Sequence, residues 1–257
     1  MKKIYLFLML IAFAGTQACK SDKKADVAAT DIANDTLPPN SATKSQIDAL
    51  PEMKTENTAG TPASTPADAI VYKMANASVS WIGSKGSLKT QTGTISGKSG
   101  QIAYKDGQIV SGNVEIDMNK INVTSLAGSD KKDLEDHLKA DDFFDVAKYP
   151  TAKFEIVRIE PLDSRASREA NMASLVKNTH MMVGNLTIKD VTRSITVPVN
   201  IHLAAERIKV ATSMFTIERS LWGVKYDLGT VSGKIKEAIV DDKISLQLTF
   251  EGMRAAK

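Results

Sequence analysis

The chain has 257 residues, a formal net charge of +3, and 42% hydrophobic, 25% charged and 5% aromatic residues. So small a charge, with no long basic run, gives nucleic-acid binding no support. The single cysteine rules out an internal disulfide.

The first predicted element is a leader. "MKKIYLFLMLIAFAGTQACKS" has a positive start at Lys2 and Lys3, an apolar run from Ile4 to Gly15 and a small residue at Ala18. The run is short for a bilayer span, so residues 1–18 are expected to be a signal peptide. Cys19 follows at once. Its place resembles the lipobox of bacterial lipoproteins, with Thr16 where that motif usually has leucine. The resemblance implies acylation of Cys19 and an exported, periplasmic or outer-membrane lipoprotein of the cell envelope, held to the membrane by its acyl chains. From Lys20 to Asp68 the chain is rich in Thr, Ala, Ser, Asn and Pro and has no aromatic residue. Such a stretch buries too little apolar surface to offset the entropy of ordering it. Residues 19–68 are therefore expected to be a lipidated cysteine and a flexible tether, and residues 69–257 one folded domain.

Strands dominate that domain. Val79 and Trp81 lie on one side of "VSWIG", and Asp106-Gly107 in "YKDGQI" has the chemistry of a tight hairpin turn. "NVEIDMNK" sets Val114, Ile116 and Met118 against Glu115, Asp117 and Asn119. "SDKKDLEDHLK" is the one convincing helix, with Ser129 or Asp130 as cap and Leu134 and Leu138 on one side. After "DHLKADDFFDVAKYP" the chain returns to alternation, with Phe154 and Ile156 on the inward face. "REANMASLV" reads as a second short helix, and "IKDVTRS" as the turn between Leu186 and Ile188 and the next strand. "SITVPVNIHL" alternates Ile195, Val197, Val199, Ile201 and Leu203 with polar residues. Pro198 within it implies an edge, a bulge or a poorly paired position. After "VDDKI", "KISLQLTFEG" closes the pattern with Ile244, Leu246, Leu248 and Phe250. These are antiparallel strands with one face in water. A sheet of about eight such strands hides its apolar face by stacking as a sandwich or closing as a barrel, and closure also removes edges. Periodicity alone leaves both open, and an outer-membrane barrel with its apolar face turned to lipid as well.

A search for chemistry finds little. Asp136, Asp141 and Asp142 stand near His137, but only His137 and Asp141 share a helical face. There is no G-x-S-x-G elbow, and an acylated Cys19 is no nucleophile. A solvated helix is the plainer reading. His137, His180 and His202 are far apart and lack H-x-x-x-H spacing, so neither a metal nor a catalytic cofactor is expected.

"HLKADDFFDVAKYPTAKFEI", then "GNLTIKDVTRSITVPV", then "MFTIERSLWGVKY" resemble, in that order, the YceI-like, polyisoprenoid-binding family from Ile70 to Gly252. The resemblance implies an all-β, lipocalin-like eight-stranded antiparallel barrel with one or two short helices. It also implies an elongated apolar tunnel that holds a long-chain isoprenoid or other amphiphilic lipid. Asp190 replaces a glycine usual in the family, and aspartate tolerates a left-handed turn better than most residues. "PLDSRASREANMASLVKN" is longer than a hairpin, so an extra loop or cap is expected there. Trp222 stands where the family more often has an acidic–aromatic pair.

Phe143 and Phe144 are expected to line or plug one end of the tunnel. Val79, Trp81, Ile116, Met118, Phe154, Ile156, Leu186, Ile188 and Met214 are expected to face into it, with Trp222 at its mouth. Arg219 meets a phosphate head group or pairs with a surface carboxylate, the second being favoured. The expected function is non-catalytic carriage or storage of a polyisoprenoid, on a membrane-tethered barrel. Two alternatives stand beside it. A hydrolase-type enzyme at the barrel mouth would use His137 as base and Asp141 to orient it, and would lose turnover on His137→Ala with lipid loading intact. A stress-response or structural lipoprotein using the barrel as a scaffold would keep its function after the tunnel is filled. Oligomeric state is left open, a homodimer included.

Overall fold

The computed structural model describes Leu50 and residues 54–85, 89–162, 178–226 and 240–256. The elements in chain order are β1 (Thr55–Glu56), β2 (Ile70–Lys85), β3 (Lys89–Lys105), β4 (Gln108–Val123), α1 (Gly128–Lys139), β5 (Thr151–Pro161) and β6 (His180–Ile188). They continue with β7 (Val191–Leu203), β8 (Arg207–Thr212), β9 (Phe215–Glu218), a single 3-10 turn (Arg219–Trp222) and β10 (Lys243–Arg254).

Hydrogen bonding runs β7-β6-β5-β4-β3-β2-β10-β8, and β8 pairs back onto β7. Of the ten strands, β1 and β9 pair outside this ring, which leaves an eight-stranded antiparallel barrel. Closure comes from register pairs such as Ile201↔Val210 and Leu203↔Ile208. The barrel, not the sandwich, is therefore how this sheet hides its apolar face, and that face points inward.

The hairpins form as their residues dictate. Asp106 and Gly107, between β3 and β4, have φ of 49° and 86°. Lys189 and Asp190, between β6 and β7, have φ of 49° and 58°. Two successive left-handed residues match the right-handed twist of the flanking strands. Asp190 takes the left-handed role expected of it, and Lys189, which no composition rule marks, shares it.

Helix α1 departs from expectation at its start. Ala127 is the N-cap and no side chain caps the helix, so neither Ser129 nor Asp130 does that work. Side chains from the helix body tie it to the barrel instead. The Val123 N–H donates to Glu135 Oε1 at 2.8 Å, and Lys131 Nζ donates to the Val123 carbonyl at 2.7 Å. Leu138 is buried beneath it and Leu134 is half-buried. The second expected helix, residues 168–176, lies outside the described residues.

The ring is irregular at one place. β8 pairs with both β7 and β10, but after Ser213 and Met214 the chain continues as β9, which pairs with β10 alone. Beside the first half of β7 the wall is completed by β1, through Thr55↔Ile195 and Glu56↔Ser194. Pro198 sits in the gap between β1 and β8. Its carbonyl accepts the Ser213 N–H at 3.1 Å, so its nitrogen, which lies on the same side of the strand, faces the gap rather than the β6 ladder.

Residues 54–68, expected to belong to the flexible tether, include residues that bond to the barrel wall. After β1 the chain crosses the outer surface of β6, β5 and β4 as a strap. Asn185, buried beneath it, accepts the Gly60 N–H at 2.9 Å and donates to the Gly60 carbonyl at 2.7 Å. The Ala63 N–H donates to the Ile156 carbonyl at 2.9 Å, where the β5–β6 register slips. Thr65 and Ser111 hydroxyls bond at 2.7 Å. The strap reads as linker because the barrel, not its own apolar side chains, holds it in place. Cys19, the leader and the tether up to residue 49 lie outside the described residues.

Candidate functional site

The inward faces of the strands enclose three adjoining spaces. The widest, about 400 Å³, lies at the α1 end among Trp81, Ile95, Ile121, Leu134, Leu138 and Phe143. Sites for small molecules span roughly 300–1,000 Å³, so this chamber is of ligand size. Its wall also carries Ser84, Gln91, His137, Arg219, Tyr226 and Asp241. Ile95, Phe144, Ile244 and Leu246 border it and a second space of about 80 Å³. Val114, Phe154, Met182, Thr212 and Leu248 border that one and a third, about 30 Å³.

Exposure along β10 shows that this lumen is open. Ile244, Leu246 and Leu248 point inward yet are only half-buried, as are Val79, Trp81 and Leu186. In a filled barrel such residues would be fully covered by one another. Apolar surface left bare toward an enclosed space is what a hydrocarbon ligand would cover.

The sequence-derived candidates distribute as follows. Trp81 and Phe143 line the wide chamber, and Phe144 stands between it and the second. Val79, Ile116, Met118, Leu186 and Ile188 line the second. Phe154 borders the second and third, and Ile156 lines the third alone.

Two candidates, Met214 from alternation and Trp222 from the family resemblance, border none of the three spaces. Met214 lies in the break between β8 and β9. The two-residue break slips the pleat, so Phe215 takes the inward position instead. Trp222 is 0% exposed. Its Nε1–H donates to the Leu186 carbonyl at 2.9 Å, which makes it a plug packed against β6.

Arg219 is held by backbone carbonyls at the wall of the wide chamber. It is 1% exposed, and Nε donates to the Asp241 carbonyl at 3.0 Å. Its Nη1 donates to the Val224 carbonyl at 2.9 Å, and Nη2 to those of Tyr226 and Val240 at 2.7 and 3.0 Å. Its guanidinium also lies over the Phe143 ring at 5.4 Å. A planar fork of five donors suits this work, because carbonyls from separate segments converge on one charge. Arg219 thus fastens the wall of the wide chamber from within.

His137 is half-exposed and packs edge-on against Tyr226, with ring centroids 4.5 Å apart, and against Phe143 at 5.9 Å. The carboxylate nearest its ring is Asp142, not Asp141, and the Nδ1–Oδ1 separation of 4.0 Å is too long for a hydrogen bond. His180, at the other end of the barrel, bonds through Nδ1 to the Thr179 hydroxyl at 2.8 Å, and burial pushes its pKa down. His202 is exposed on β7. Among the described residues no three His, Cys, Asp or Glu side chains come together as a metal site.

Several lining residues were missed. Ile244, Leu246 and Leu248 carried the same alternation as the chosen candidates and were legible. Ile95 sits in a glycine- and serine-rich strand with weak patterning, and Tyr226 in a segment with no period at all.

No curated protein matches the chain. Among solved structures, BcnA of Burkholderia cenocepacia is similar at 21% identity over 68% of this chain and 95% of that one, with a TM-score of 0.49. A polyisoprenoid-binding domain from Saccharophagus degradans, implicated in plant cell wall breakdown, is 15% identical over 72% of this chain and 99% of that one, with a TM-score of 0.49. The YceI protein of Campylobacter jejuni is 22% identical over 58% of this chain and 75% of that one, with a TM-score of 0.41. The YceI-like domain model matches residues 71–252, nearly the whole barrel, and the chain therefore belongs to the YceI-like family.

Proposed function

We propose that this protein binds a long-chain polyisoprenoid, or a similar amphiphilic lipid, in the barrel lumen, as a carrier or store that does no covalent chemistry. The supporting observation is the row of half-buried inward residues, Val79, Trp81, Leu186, Ile244, Leu246 and Leu248, around unfilled space. Covering such surface favours binding by about 25 cal/mol per Å² removed from water, with no reacting group needed. The contact set is proposed as Val79, Trp81, Ile116, Met118, Phe143, Phe144, Phe154, Leu186 and Ile188, with Ile244, Leu246 and Leu248 added. Ile156 touches only the narrowest space, and Met214 and Trp222 support the wall.

The amphiphile's polar end belongs in the wide chamber, where Ser84, Gln91, His137 and Tyr226 offer hydrogen bonds, and its chain in the narrower spaces. Residues 1–18 are proposed to be removed on export and Cys19 to carry the acyl anchor, which places the barrel in the cell envelope. The decisive experiment is mass spectrometry of lipid extracted from gently purified protein, with Leu246→Trp in parallel. Leu246 faces open space, so the indole fills the junction of the first two chambers and loading disappears while the thermal melt stays cooperative. Recovery of no lipid from the wild type under any preparation overturns the proposal. For the anchor, Cys19→Ala labelling with a palmitate analogue as strongly as wild type would end that part of it.

A further inference from the structure

We infer that Phe154, laid across Gly184, is the stop that sets how long a hydrocarbon chain the lumen accepts. The inference rests on the lipid-binding reading and says which lipids within that class are held whole.

The lumen narrows stepwise, from about 400 to 80 to 30 Å³. A single water needs roughly 10–15 Å³ by the same kind of measure, so the third space holds no continuing chain. Five side chains form the waist before it: Val114, Phe154, Met182, Thr212 and Leu248. Phe154 is the only aromatic among them, and it is 7% exposed.

The backbone fixes where this ring lies. Phe154 on β5 pairs with Val114 on one side and Leu186 on the other. Gly184, two residues before Leu186, has no side chain in the ring's path. A Cβ there would fall 2.7 and 2.8 Å from Phe154 Cε1 and Cε2, and closer still to Cζ. Glycine is thus the residue that lets the ring lie across β6 at the waist. At the wide end Trp81 rests in the same way on its cross-strand partner Gly93, where a Cβ would meet the indole. There the lumen stays wide; at Phe154 it falls from about 80 to about 30 Å³.

Ile121 borders the wide chamber and Val114 the waist, both on β4. β4 bulges between Ile116 and Ile121, so the span is shorter than its residue count. On β3 it runs from Ile95, opposite Ile121, to Gly100, opposite Val114, and at a strand rise of ~3.3 Å per residue this gives a path of about 15 Å. A linear isoprenoid threaded tail first reaches Phe154 over that distance. A longer one leaves part of its chain outside the barrel, where it gains nothing from burial.

The test loads delipidated wild type, Phe154→Ala, Phe154→Leu and Gly184→Ala with an equimolar mixture of farnesol, geranylgeraniol and solanesol. Native mass spectrometry reads the occupancy of each. Wild type is expected to favour the shorter alcohols over solanesol. Phe154→Ala merges the two narrow spaces and raises the solanesol share by about tenfold, the scale of a methylene or two gained in an apolar pocket. Phe154→Leu moves it the same way by less, and keeps the proposal testable should the alanine variant not fold. Gly184→Ala drives the ring into the lumen and lowers the share. Folded variants whose solanesol share equals that of wild type overturn the stop alone. A wild type that takes up none of the three overturns the lipid-binding reading, and the stop with it.

Discussion

The two ends of the lumen are built from the same strands and differ in what those strands leave unfilled. On β10, Ile244 and Leu246 at the α1 end are half-buried, whereas Phe250 at the other end is 3% exposed. The narrow end gathers Tyr72, Ile102, Ile208 and Phe250, all buried, with Gly100 and Gly252 so close to Phe250 that a Cβ on either would crowd its ring. At the wide end a Cβ on Gly83 would meet nothing within 4 Å. Alternation decides which way a side chain points. Whether it meets another side chain there depends on volumes contributed across the barrel, and only the narrow end has enough.

The largest effect expected from this contrast is at Phe250. Phe250→Ala should cost about 3–5 kcal/mol in urea unfolding, because the packed end cannot collapse around the hole. Leu246→Ala, the same kind of truncation on the same strand, should cost about 1 kcal/mol or less, since the side chain already faces open space. Equal costs would mean that the two ends are packed alike. Next comes Arg219→Met, which removes the donors to the carbonyls of Val224, Tyr226, Val240 and Asp241. Buried carbonyls left unpaired cost ~1–3 kcal/mol each, reduced by whatever relaxation lets water in, so a net loss of about 3 kcal/mol is expected. Arg219→Lys should recover only part of it, because one ammonium cannot reach separate segments as a planar fork does. The chemical-denaturation midpoints of the two variants measure both.

This contrast also marks what could be read before the fold was known. The inward set on β2, β4, β5, β6 and β10 followed from period-two alternation, and it failed where the period itself slips, at Met214. The Asp106-Gly107 turn was legible because glycine is needed there. Lys189 was not, because nothing in lysine announces a left-handed backbone. The carbonyl contacts of Arg219 were not legible because they are brought from residues 224 to 241 by the tertiary fold. The strap at 54–68 looked like tether because composition reports a segment's own capacity to bury surface. Asn185, far along the chain, supplies the order instead.

A smaller effect compares the outside of the wall with the inside at adjacent positions. Asn185→Ala removes both hydrogen bonds to Gly60 and should cost about 2 kcal/mol, while lipid uptake stays at the wild-type level. Leu186→Ala, facing the lumen, should do the reverse, with a minor stability change and altered uptake. Proteolysis of the strap is a second readout: Asn185→Ala should be cut within residues 54–68 sooner than wild type.

The smallest effect concerns how α1 is held at the wide end, and it is visible through pH. Glu135 accepts a hydrogen bond from Lys131 and another from the Val123 N–H at 2.8 Å. The Lys131 ammonium, and after it the Val123 N–H, hold the Glu135 carboxyl below the ordinary glutamate value of 4.5, against a burial contribution that raises it. A carboxylate whose pKa is depressed by folding stabilises the native state above the unfolded-state value, and that stability is lost as pH falls through the folded-state value. Glu135→Gln keeps the shape and an acceptor but removes the charge. It should therefore melt below wild type at neutral pH, by an amount on the order of 1 kcal/mol, with the two curves converging as pH falls below the ordinary glutamate value and through the lower folded-state one. A gap that persists unchanged into acid would show that Glu135 acts through shape alone. The wide end would then be held by packing of Leu134 and Leu138 rather than by the charged tie to β4.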